Sequence, residues 1–135
     1  MRRIRSSRSP RVAFGLMSVV LSACVGQGVS YPDVEGRYEG TVVVEGQSIP
    51  GSLELAQDGG SLSAVFDSPS LGLQATGSGQ VSPEGEARIQ VDYNLQCPGV
   101  AQLAGDFGDG GATFRGNVTA SDCTGDLAGV FDFSR

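Results

Sequence analysis

The sequence predicts an all-β domain: a small antiparallel eight-stranded up-and-down β-barrel, with a two-sheet β-sandwich as the alternative. Three observations point there. From residue 36 onward, apolar residues recur at every second position, the period of a strand with one buried face, and no segment has helical spacing. The alternating runs are joined by short glycine-containing connectors, too short for parallel crossovers. Glycine, at 21 of 135 residues, also recurs inside the runs on their apolar faces.

The first strand is Arg37–Val44, with Tyr38, Gly40, Val42 and Val44 on one face and Arg37, Glu39 and Thr41 on the other. Ser48–Gln57 turns Ile49, Gly51, Leu53 and Leu55 inward and Glu54 outward. Ser61–Phe66 offers Leu62, Ala64 and Phe66. Leu71–Val81 sets Leu73, Ala75, Gly77, Gly79 and Val81 against Gln74, Thr76, Ser78 and Gln80. The cleanest alternation is in Glu86–Leu95, where Ile89, Val91, Tyr93 and Leu95 oppose Arg88, Gln90, Asp92 and Asn94. Val100–Phe107 groups Ala101, Leu103, Gly105 and Phe107. Ala112–Ala120 buries Phe114, Gly116 and Val118, and Gly125–Phe133 buries Leu127, Gly129, Phe131 and Phe133.

The connectors Glu45-Gly46-Gln47, Asp58-Gly59-Gly60, Ser82-Pro83-Glu84-Gly85 and Gly108-Asp109-Gly110-Gly111 supply the positive φ that tight hairpins need. The inward glycines favour the barrel over the sandwich. Glycine weakens a strand unless the strand must coil tightly or approach another backbone closely, and a small closed barrel demands both. Glycine-rich eight-stranded barrels of this kind look like the avidin and bacterial inhibitor barrels in general architecture. That resemblance is one of fold and implies no ligand.

Ahead of the strands, Met1–Arg11 carries five arginines and no acid, and Val12–Leu21 is an apolar run of ten residues. That run is too short for a bilayer, which takes roughly 20 apolar residues, and reads as an export signal. It ends in Leu21-Ser22-Ala23-Cys24, which resembles the lipobox of bacterial lipoproteins. The resemblance implies cleavage before Cys24 and lipidation of that cysteine. The expected organisation is a signal peptide over 1–23, a lipidated flexible tether over 24–35 and one barrel domain over 36–135. The expected location is the cell envelope, lipid-anchored at the membrane. In a host with two membranes it is the outer one, because Val25 is not the aspartate that marks inner-membrane retention.

Charge and composition exclude several functions. Five of the nine basic residues lie in the leader, leaving Arg37, Arg88, Arg115 and Arg135 against all fifteen acids, a balance of −11. Such a chain repels phosphate backbones, so no nucleic-acid partner is expected. With no histidine anywhere, Ser-His and Cys-His dyads and the commonest transition-metal ligand are missing. No catalytic residue, metal site or cofactor is therefore expected. Asp106–Gly111 lacks calcium-loop spacing, and Glu84 and Glu86 flank a turn and read as solvated acids, not as a catalytic carboxylate pair.

Cys97 and Cys123 remain for a disulfide. In a meander, alternate connectors emerge at the same end, which brings the turns holding these two cysteines to one rim. That rim also carries Asp67-Ser68-Pro69-Ser70, Gln96-Cys97-Pro98-Gly99 and Ser121-Asp122-Cys123-Thr124. It is where a binding site is expected, with Ser70, Gln96 and Thr124 as its polar candidates. The function expected is a non-catalytic binding or interaction module facing a protein, a glycan or a small apolar molecule. The alternatives are a structural accessory of the envelope and a carrier of an apolar ligand inside the barrel. Inward glycines favour a hollow interior. Tyr38, Phe66, Tyr93, Phe107, Phe114, Phe131 and Phe133 favour a filled one. The pattern leaves that balance open.

Overall fold

Period-two alternation becomes hydrogen-bonded pairing around a complete ring. The computed structural model describes residues 28–135, so the leader and Cys24 lie outside the described residues. Its strands are β1 (Gly36–Val44), β2 (Gln47–Asp58), β3 (Ser61–Ser68), β4 (Leu73–Val81), β5 (Glu86–Asn94), β6 (Pro98–Gly108), β7 (Thr113–Asp122) and β8 (Gly125–Ser134). Each pairs antiparallel with its sequence neighbour, and β1 closes onto β8 from Glu39 opposite Ser134 to Val44 opposite Gly129. The architecture is the expected closed barrel, not the sandwich. Strand ends shift by one or two residues, and one shift has a local cause: Pro69–Leu71 forms a single 3-10 turn capped by Gly72 at φ 59°, so β4 begins at Leu73 rather than Leu71.

The inward glycines sit where neighbouring backbones come too close for a side chain. A methyl group on Gly77 would run into the carbonyl oxygen of Gln90 on β5, and one on Gly40 into that of Asp132 on β8. Two of the remaining gaps are covered by rings. Phe66 lies over Gly51, and the Phe131 ring reaches Gly105, whose cross-strand partner Gly116 is also a glycine.

Most of the bulk sits in one half of the barrel. Tyr38, Phe114 and Phe133 are fully buried there, with Leu53, Leu55 and Val34 around them. Phe107 stacks on Phe114 at 4.2 Å between ring centroids, and Phe114 meets Phe131 at 4.7 Å. The Tyr38 hydroxyl donates within 2.9 Å of the Val34 carbonyl and 2.6 Å of the Gly111 carbonyl, tying the incoming chain to the β6–β7 turn. Burial raises the Tyr38 pKa above its ordinary value against the lowering effect of nearby Arg135.

The segment expected as a flexible tether is docked over Tyr31–Glu35. Val34 is fully buried, and its amide donates to Gln57 Oε1 at 2.9 Å. Gln57 Nε2 donates to the Pro32 carbonyl, and Arg135 Nη2 to the Asp33 carbonyl. A buried backbone stretch needs such partners, and two side chains from strand ends supply them. This end of the barrel is plugged.

Replacing Gly77 with alanine forces a methyl group against backbone that cannot give way. The variant is expected to lose about 2–3 kcal/mol of stability, read as a lower urea midpoint with an unchanged slope.

Candidate functional site

The opposite end is hollow. Above the aromatic layer the inward residues are small, among them Ala75, Ala101 and Ala120, and they do not meet across the barrel. They leave a cavity of about 220 Å³ lined by all eight strands and open at the rim. Its wall is apolar, with Val42, Val44, Ile49, Leu73, Val91, Leu103, Val118 and Leu127 pointing in. Phe66 joins the two halves: it lines the cavity and stands edge-on to Phe133 at 6.2 Å. At the mouth, Leu71 and Leu95 keep 42% and 49% of their surface exposed beside the opening.

A small polar group is set into this apolar mouth. Tyr93 on β5, Gly99 on β6 and Asp122 on β7 are successive cross-strand partners. Because Gly99 has no side chain, the Tyr93 ring crosses it, with its hydroxyl 2.7 Å from where a Cβ would stand. That hydroxyl donates to Asp122 Oδ2 at 2.8 Å. Asp122 Oδ1 accepts from the Thr124 amide at 2.8 Å and from the Thr124 hydroxyl. The Thr124 hydrogen bonds, with that of Tyr93, hold the Asp122 carboxyl below its ordinary pKa. Burial and the Asp122 carboxylate push the Tyr93 phenol up to about 12. Glu45 and Gln47 complete the polar rim from the β1–β2 turn, where Glu45 and Gly46 both take positive φ, 51° and 77°.

Cys97 and Cys123 form the expected disulfide, with Cα atoms 6.2 Å apart. It joins the β5–β6 and β7–β8 turns at the mouth, on the rim that topology assigned. Of the three polar candidates there, Thr124 contributes by holding Asp122. The Ser70 hydroxyl lies 3.3 Å from that of buried Ser68, itself donating to the Pro50 carbonyl at 2.8 Å, and Gln96 does not line the cavity. The sequence reading overlooked Leu71 and Leu95 as mouth residues and Asp122 as their polar neighbour. The available signal was a leucine beside each of two turns on the disulfide rim. Asp109–Gly111 is a 3-10 turn at the plugged end, and its last carbonyl is the one Tyr38 binds. Among the described residues, no cluster of three or more His, Cys, Asp or Glu side chains is placed to hold a metal ion.

No protein-family model and no curated protein matches the chain. Among solved structures it is similar to a redesigned beta barrel, mFAP1, bound to DFHBI. The TM-score is 0.64 and the identity 17%, over 76% of this chain and 94% of that one. At that identity the likeness is one of fold, that of a small β-barrel.

The outer face of the barrel corrects the outer-membrane location expected from the leader, while the lipidation expected at Cys24 lies outside the described residues. A barrel seated in a membrane turns apolar side chains to lipid and polar ones to its lumen. Here the polarity is reversed, with Glu39, Glu54, Gln74, Thr76, Gln90 and Asp92 exposed on the outside and the apolar face inside. That is the wall of a barrel whose outer face meets water and whose inner face is the core. Among the described residues no helix is long and apolar enough to cross a membrane.

Two outcomes are expected. Replacing both Cys97 and Cys123 with serine releases a 26-residue closure and costs roughly 3–4 kcal/mol on the chain-entropy estimate, measured by denaturant unfolding. In a spectrophotometric titration the Tyr93 phenol ionises near pH 12, and Asp122→Asn brings that step down. Its folded pKa lies above the unfolded value of 10.0, so its contribution to stability is complete below pH 10 and is lost as the pH rises towards 12.

Proposed function

We propose that the protein is a non-catalytic binding barrel that carries one small apolar molecule in its open half. The observation that carries this reading is the cavity of about 220 Å³, walled by aliphatic side chains in a barrel whose other half is solid. Its size suits a compact ligand, since an apolar cavity of about 150 Å³ already accommodates benzene. Leaving such a wall facing water is unfavourable by about 25 cal/mol per Å² of apolar surface, and an apolar occupant removes that cost.

The carrier reading is better supported than a module acting through its outer wall. The outer wall is mostly polar, with Val100 and Val130 its exposed large apolar side chains, whereas Leu71 and Leu95 expose theirs beside the opening of an apolar chamber. The redesigned barrel solved with DFHBI adds support from fold, as a barrel of similar size bound to a small molecule.

Thermal unfolding in the presence of a naphthalene-sized aromatic tests this directly. A ligand at a hundred times its Kd stabilises the fold by about 2.7 kcal/mol, which appears as a raised Tm. Ala101→Phe places a ring in the cavity and is expected to abolish that rise while leaving the unliganded fold intact. An unchanged rise in Ala101→Phe would move binding to another surface.

A further inference from the structure

The polar atoms that line the cavity are chemically one-sided. Asp122 and Glu45 are carboxylates and accept hydrogen bonds without donating. The Tyr93 hydroxyl can donate, but its hydrogen is directed at Asp122 Oδ2, so it faces a ligand with its lone pairs. Asp122 Oδ1 takes both bonds from Thr124, while Oδ2 takes one and keeps a second acceptor position. Among these lining groups, Gln47 alone has N–H groups to offer, and it is exposed on the outer rim.

The arrangement of charge along the barrel points the same way. The four arginines within residues 28–135 all lie in the plugged half. Arg37 begins β1, Arg88 lies near the start of β5, Arg115 pairs with Asp132 at 2.9 Å, and Arg135 binds the docked N-terminal segment. The half that holds the cavity carries Glu45, Asp67, Asp92, Asp122 and Asp126, with no basic side chain among the described residues. A cleft lined by one sign of charge with low-dielectric walls concentrates its field at the opening.

We infer that the cavity selects amphipathic cations: compact apolar bodies bearing a protonated nitrogen that sits at the mouth beside Asp122 and Glu45. The apolar body fills the space between Ala75, Ala101 and Ala120. The N–H groups of the head donate to the open position on Asp122 Oδ2, to the Tyr93 oxygen and to Glu45. An anionic head in the same place meets two carboxylates and no donor but Gln47. This inference rests on the carrier reading and adds the chemical class of the ligand.

Three probes with one naphthyl body separate the two claims: naphthylmethylammonium, naphthylmethanol and naphthylacetate, each titrated calorimetrically into the disulfide-intact protein. The ammonium is expected to bind roughly tenfold or more tighter than the carboxylate, with the alcohol between, which is the scale of one close charge contact at a protein surface. Added salt should narrow the gap, and so should Asp122→Asn or Glu45→Gln. The Glu45 variant lies in an exposed turn and keeps the comparison usable if Asp122→Asn unfolds. Ala101→Phe should lose the ammonium as well, since loose attraction to an acidic surface would survive a filled cavity. Equal affinities for the three probes, or ammonium binding that persists in Ala101→Phe, would overturn the charge selection while leaving the carrier reading to its own test. Failure of all three to bind would sink both.

Discussion

Closing eight short strands into a ring dictates where side chains can exist. A closed sheet has no free edge, but each strand must coil and bend to return to its start. The bends bring the backbone of one strand against the next on the inner face. At Gly40, Gly77, Gly105, Gly116 and Gly129 a β-carbon would overlap a neighbouring backbone carbonyl oxygen. These positions therefore have no side chain, and the volume they vacate must be filled from elsewhere or remain empty. The barrel does both, at different heights.

In one half, long aromatic residues reach over the vacated positions and one another, and Val34 and Tyr38 seal the end from the chain side. In the other half the residues facing the axis are alanines and branched aliphatics, too short to meet. The plugged half is stabilised by continuous packing, so the hollow half needs other restraints. It has the Cys97–Cys123 link between two turns and the Tyr93–Asp122–Thr124 hydrogen bonds across three strands. Both act on the wall of the mouth and leave the cavity itself unobstructed, which is the arrangement a fixed opening requires.

Strand identity, pairing order, barrel closure and the disulfide were legible because each follows from local spacing. Period two names the inward residues, short connectors force antiparallel neighbours, and counting turns puts Cys97 and Cys123 on one rim. The cavity was not legible, because it depends on the height of each inward residue along the axis. That height is set by the stagger of eight strands, which no single strand encodes. Ala75, Ala101 and Ala120 are far apart in sequence and line one chamber only through the register. Alternation alone places Leu71 in β4, but Pro69 starts a 3-10 turn that lifts it to the mouth. Pro32 to Glu35 looked like linker by composition, yet Gln57 and Arg135, distant in sequence, supply the partners that dock it.

The distribution of charge also matters more than its total. The surplus of acid in residues 28–135 repels polyanions but says little about a site. The arginines within residues 28–135 are informative because they are few and lie towards the plugged end, one in an ion pair that bridges β7 and β8 and one holding the docked segment in place. Arg135 also lies over the Tyr38 ring at 5.6 Å, joining the seal at the plugged end. With those arginines at that end, no basic side chain among the described residues lies near the mouth to compensate Asp122 or Glu45. Asp122 is held in its ionised form by Thr124 and Tyr93, its own neighbours on the rim. A carboxylate fixed by short hydrogen bonds at the lip of an apolar chamber, with an acceptor position left open, has its unmet demand directed into the opening. Gly105 on β6 is bare because the next backbone lies against it, whereas Gly99 on the same strand is bare beneath the Tyr93 ring, and it is Gly99 that lets Tyr93 reach Asp122 and so sets the polarity of the mouth.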